Sequence, residues 1–144
     1  MKPIRTFVIG SRAFFTGMDG YYPKDIDELN IMDRFPFKGN VFNANINGKD
    51  VFFFRNMDKE GFIKDTLECG VPMRIGKFLV PEFATYLEVT INDLKRLSDI
   101  IEKIDEKHLY EKIIYDAYLK NGEFKLTEEQ RAAAYKEYLK RKQI

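Results

Sequence analysis

The chain has 144 residues, 44% hydrophobic and 33% charged, which excludes a disordered polymer and fits one domain with a buried core. Its 24 Lys and Arg nearly cancel its 23 Asp and Glu, which argues against a broadly basic nucleic-acid surface. A single cysteine, Cys69, and a single histidine, His108, exclude an intramolecular disulfide, a thiolate zinc cluster and a His-rich metal centre.

Ile4 to Ile9 is a β-branched and aromatic run ending at Gly10, and it predicts a buried first strand. Arg12 to Lys24 reads as a loop with one helical turn near Ala13-Phe14-Phe15, because Gly17, Gly20 and Pro23 interrupt anything longer. Asp25 to Met32 predicts a second strand anchored by Ile26, Leu29 and Ile31. Val41 to Ile46 and Asp50 to Arg55 predict a hairpin around Asn47-Gly48, a strong two-residue turn signal. A short helix is expected over Asp58 to Leu67, and one or two short extended pieces over Val71 to Val80, around Gly76. Pro81 suits the first position of a helix running to Leu87. Thr90 with Asp93 reads as a helix cap, and Ile91, Leu94, Leu97, Ile100 and Ile104 keep the helical period beyond it. A further helix from Asp105 carries Leu109, Ile113 and Ala117 on one stripe and stops at Asn121-Gly122. Thr127 with Gln130 forms a capping box for a last helix, Glu128 to about Lys142. Its basic end suits the helix dipole better than it suits nucleic acid.

The fold class expected is therefore α+β. A small mixed sheet of about four to five strands occupies residues 1–80, and a helical part, residues 81–144, packs on it within a single domain 1–144. No apolar run is long enough for a signal peptide or a membrane span, so no membrane partner is expected and a reducing cytoplasm is the expected compartment.

The chemistry-bearing residues lie at the joins of the first two strands. Gly10 and Ser11 end the first strand in a small-residue turn, where backbone amides approach a phosphate closely and a hydroxyl adds a neutral donor. Asp25 and Asp27 are spaced i, i+2, which on a strand puts both carboxylates on one face with Ile26 pointing into the core behind them. Adjacent like charges are unfavourable without a cation, and Mg²⁺ takes hard oxygen ligands, so the pair points to a metal. The bland alternative is a pair of exposed acids beside Lys24. Arg12 and Lys24 stand where they reach a phosphate, and each also reads as plain surface charge. Tyr21 and Tyr22 suit stacking on a base or packing over the sheet edge. Lys64, Arg74 and Lys77 are candidate cleft cations that no motif places.

Gly10-Ser11, a spacer of 13 residues and then Asp25-Ile26-Asp27 before an apolar strand resembles the signature of the DNA polymerase beta-type nucleotidyltransferase superfamily. The resemblance covers residues 4–32. It implies a mixed sheet with helices packed on it, Mg²⁺ or Mn²⁺, and a nucleoside triphosphate as donor. It also implies that Asp25 and Asp27 hold metal, that Gly10 and Ser11 hold the β- and γ-phosphates, and that a third carboxylate acts as base. Three features depart from the pattern. The strand Val51 to Arg55 has no internal acid, so Asp50 at its start is the first candidate for the third carboxylate and Asp58 the next. No helix stands before the first strand, and the spacer is long. Asp50 also reads as hairpin-turn chemistry.

Three readings follow. The first is a Mg²⁺-dependent nucleotidyltransferase whose acceptor is a protein, a small molecule or an RNA end. The second is a degenerate relative that binds a nucleotide or a protein partner without turnover. The third is an interaction protein in which Phe52, Phe53 and Phe54 mark a doubly buried strand or an interface. A homodimer or a partner protein is compatible with each.

Overall fold

Four strands form one mixed sheet: β1 (Arg5–Ile9), β2 (Ile26–Met32), β3 (Val41–Ile46) and β4 (Lys49–Arg55), in the spatial order β1-β2-β4-β3. β1 runs antiparallel to β2, β2 parallel to β4, and β3 antiparallel to β4. These features belong to a computed structural model that describes residues 2–22, 26–70, 74–103 and 109–142. The helices are α1 (Ser11–Phe15), α2 (Lys59–Cys69), α3 (Pro81–Leu87), α4 (Ile91–Lys95), α5 (Ser98–Ile101), α6 (Leu109–Asn121) and α7 (Glu128–Lys142). The fold is α+β, with the sheet in the N-terminal half and a helical C-terminal half, as the patterning predicts.

The pairing register sorts the sheet into cross-strand rows on the face that the helices cover. Arg5, Ile31, Phe54 and Val41 form one row, and Phe7, Leu29, Phe52 and Asn43 the next. Their apolar members are buried with Phe62, Phe78, Phe83, Leu94, Ile114 and Tyr118 in one core, except Val41, which is half-buried and packs against it. Rings fill it edge to face, as in Phe7 on Phe83 at 5.3 Å and Phe62 on Phe83 at 5.5 Å. The other face carries Val8, Phe42 and Ile46, all exposed. Phe52 and Phe54 are buried on the helix-covered face, and on the other face of β4 Val51 is buried and Phe53 half-buried, so that face is closed only in part.

Local signals formed as expected. Asn47 and Gly48 both have positive φ, 53° and 80°, the turn that matches the twist of the flanking strands. The Thr90 hydroxyl accepts from the Asp93 amide while Asp93 accepts from the Thr90 amide at 2.8 Å. Thr127 and Gln130 make the same reciprocal pair in front of α7. Among the described residues no helix is long and apolar enough to cross a membrane.

Several elements differ from their sequence reading. α2 starts after Asp58, which caps it by accepting from the Gly61 amide at 2.8 Å, and Gly70 closes it in a left-handed conformation. Extended structure was expected around Gly76; Arg74–Phe78 is instead one π-helical turn, pressed against α6. The run after Thr90 breaks at Arg96-Leu97 into α4 and α5, and Ile104 lies outside the described residues. On α6 the buried face is Glu111, Ile114, Tyr115, Ala117 and Tyr118, whereas Leu109 and Ile113 are half-buried. That face was rotated from the predicted stripe because α6 meets both α7 and the π-helical turn.

Candidate functional site

The third row across the helix-covered face is Ile9, Asp27, Asp50 and Asn45. Apolar continuity stops here: two carboxylates stand side by side at the starts of parallel β2 and β4. Directly paired residues present their side chains to the same face, about 4.8 Å apart across the ladder. Asp27 is buried, at 8% exposure, and Asp50 is half-buried. The expectation that Ile26 backs the acids from the core is corrected by this register. Asp27 lies on the core face with Leu29, and Ile26 takes the opposite, half-exposed face.

Gly10 follows Ile9 and turns the chain into α1 with φ 70° and ψ −153°, a region essentially open to glycine alone. Its approach to Asp27 is close: a Cβ there would lie 2.6 Å from Asp27 Oδ2. The Gly10 amide donates to the Lys77 carbonyl at 3.0 Å, so it is not the phosphate donor anticipated for it. The Ser11 hydroxyl is 3.2 Å from the Tyr21 hydroxyl. Tyr21 packs on Phe15 and Tyr135, which gives it a structural place, while Tyr22 is 81% exposed. Arg12 is half-buried in the first turn of α1. Lys24, Asp25 and His108 lie outside the described residues.

Of the cleft cations, Lys77 alone reaches the row. Its Nζ lies 3.3 Å from Asp27 Oδ2, with both side chains largely buried, and 5.1 Å from the Phe52 ring centroid. Arg74 pairs with Asp65, and Lys64 is exposed beside Glu68. Asp58, the alternative third acid, is the α2 cap beyond the far end of β4 and takes no part.

Two residues on α6 were not anticipated. Glu111 is 3% exposed, and a Cβ on Gly76 would lie 2.1 Å from its Cβ, so the π-helical turn rides directly on α6. Neighbouring Tyr110 has its phenol held protonated far above the usual range, by burial first, then by the charge of Glu111 and the hydrogen bond to it, with Tyr138 and Asp27 adding to the effect. Their apolar-looking helix gave no sign of this; a buried Glu is detectable only once the packing partner is known. Among the described residues no three His, Cys, Asp or Glu side chains converge to hold a metal ion. A separate groove of about 490 Å³, lined by Asn56, Lys59, Glu60, Tyr86 and Glu88 among others, opens beyond the opposite end of β4.

No protein-family model, no curated protein and no solved structure matches this chain.

Proposed function

We propose that the protein is a nucleotidyltransferase-like protein that binds a nucleoside triphosphate with Mg²⁺ at this row and transfers its nucleotidyl group to an acceptor hydroxyl. The observation that carries the reading is the parallel register that stands Asp50 beside Asp27, next to the Gly10-Ser11 turn. On this reading Asp50, on the strand next to that of Asp27, would serve as the third carboxylate.

Asp27 and Asp50, paired across the parallel ladder, offer two hard oxygen donors of the kind Mg²⁺ takes. Mg²⁺ is commonly bound by one or two carboxylates, with water and phosphate oxygens completing the shell, and Asp27 with Asp25 would hold it. When bound, it would neutralise charge on the phosphates and on the leaving oxygen. Ser11, Arg12 and Lys24 orient the β- and γ-phosphates. Asp50 takes the proton from the acceptor hydroxyl as its oxygen bonds to the α-phosphorus. The bond between the α-phosphorus and the bridging oxygen breaks, and pyrophosphate leaves with that electron pair.

Calorimetry with ATP and GTP, with and without Mg²⁺, tests the site. Metal-dependent binding that is lost in D27N is the expected result. An intact fold with no triphosphate binding at millimolar concentration would sink the reading.

A second reading is favoured by the Asp27–Lys77 ion pair: an ammonium already occupies the acid, as suits a site that binds nucleotide without turnover. Binding that persists without Mg²⁺, with no release of pyrophosphate against a panel of protein, small-molecule and RNA acceptors, would select it.

A further inference from the structure

We propose that Lys77 is the resident counter-ion of the acidic row, and that a divalent cation binds Asp27 only by displacing it. The inference rests on the metal-dependent reading above and assigns the residue that controls metal entry.

Lys77 is held at both ends. Its carbonyl accepts the Gly10 amide at 3.0 Å, its ammonium meets Asp27 Oδ2 at 3.3 Å, and its charge lies over Phe52. The turn that carries it is set by Gly76 against Glu111. Two neighbouring carboxylates each raise the cost of ionising the other, and an ammonium between protein walls relieves that cost. The same oxygen is the lone-pair donor that a divalent cation needs, and two cations at one carboxylate repel each other strongly in a partly dry site. Metal binding is therefore an exchange. The lysine stem is flexible, and its displaced ammonium is best received by a polyphosphate. It follows that metal and triphosphate bind cooperatively, and that Lys77 is the link between them.

The test is Mn²⁺ binding, read from the loss of the free-ion paramagnetic resonance signal, in wild type, K77M and K77M/D27N, with ATP binding measured separately. Methionine keeps the length and apolar contact of the stem without its charge. K77M is expected to bind Mn²⁺ alone at least about tenfold more tightly than wild type, since the repulsion is removed. The gain should vanish in K77M/D27N, and ATP should strengthen Mn²⁺ binding more in wild type than in K77M. Equal or weaker binding by K77M, no Mn²⁺ binding by any variant, or a gain that survives D27N would each overturn the proposal. ATP binding without a K77M gain removes the Lys77 role alone, whereas a K77M gain without any triphosphate binding removes the nucleotide reading alone. Should K77M fail to fold, acylation of wild-type Lys77 by an N-hydroxysuccinimide ester, read by mass spectrometry, must rise with added Mg²⁺. Labelling that is insensitive to Mg²⁺ overturns the exchange.

Discussion

Replacing Gly10 with alanine tests the geometry of the site without reference to any ligand. Two separate costs arise. The backbone at φ 70°, ψ −153° is a region that L-residues avoid, at about 1–3 kcal/mol. The new Cβ also falls 2.6 Å from Asp27 Oδ2, and the carboxylate yields only by loosening its contact with Lys77. Overpacking of this kind costs about 1–3 kcal/mol. G10A should therefore lose about 2–6 kcal/mol, and with a urea m-value of about 2 kcal/mol/M its midpoint should fall by about 1–3 M. D27A removes Oδ2 and Cγ and leaves Cβ at 3.5 Å, an ordinary contact. The double variant G10A/D27A should then be more stable than the sum of the single losses predicts, by about 1–2 kcal/mol. A G10A variant within about 0.5 kcal/mol of wild type, or strict additivity in the cycle, would refute the packing of Asp27 on Gly10.

G76A should lose about 1–3 kcal/mol in the same urea assay, because a Cβ would meet Glu111 Cβ at 2.1 Å and its backbone Cα at 3.3 Å; an unchanged midpoint would show that the π-helical turn does not seat on α6. For Asp93, burial pushes the carboxyl up, but the Thr90 hydrogen bonds and the Lys59 ammonium outweigh it and hold it below the ordinary 3.8. A carboxylate with a depressed folded value stabilises above its unfolded value and loses that contribution as pH falls through the folded one. D93N should therefore be less stable at neutral pH and should show a flatter loss of stability below about pH 4, in urea melts taken across that range. Tyr110 and Tyr118 are raised far above the usual 10.0, chiefly by burial, and Tyr115 is raised by burial and then by Asp116 and Glu102. Their raised folded values stabilise the fold below about pH 10 and that contribution is lost above it, so ultraviolet titration should show these phenols ionising only with alkaline unfolding. Ionisation of all eight tyrosines together, with the fold intact, would contradict their burial.

What was legible in the sequence was local. Asn47-Gly48 imposes its own backbone, and the two capping boxes are closed by residues three apart, so no distant partner is needed to form them. Strand 1, the hairpin strands and the last helix follow for the same reason, although β1 is an edge strand with Arg5, Thr6 and Val8 exposed where its apolar run reads as buried. What was not legible depends on elements far apart in the chain. Asp50 stands beside Asp27 because β4 inserts between β2 and β3, and a hairpin pattern alone carries no information about which strand β4 joins next. Period-two alternation groups Asp27 with Leu29 and Ile31, and Ile26 with Glu28 and Asn30; reading Ile26 as an anchor alongside Leu29 and Ile31 mixes the two faces, because an isolated apolar residue beside an acid looks locally like core. The turn at Gly76 is dictated by Glu111, which is 35 positions away, and an apolar run with one glycine reads locally as strand.

The polar row is built at a cost that the rest of the sheet does not bear. Phe7, Leu29 and Phe52 show what the ladder accommodates one step away, and an apolar residue at position 27 would continue that core without any counter-ion. A partly buried acid with a partly buried ammonium typically contributes no more to stability than a well-packed apolar pair would. Here the acid further demands a glycine at position 10, in a backbone region closed to other residues, and a lysine delivered by a π-helical turn whose own glycine is pressed against α6. The turn after β1, the π-helical turn and α6 thus all bear on the placement of one carboxylate at the sheet end. A well-packed apolar residue would serve folding there at least as well, which favours testing the row as a cation site. The groove at the opposite end of β4 makes the contrast: Asp58 and Lys59 there are tied up as a helix cap and a partner of Asp93, each explained by the helix it serves.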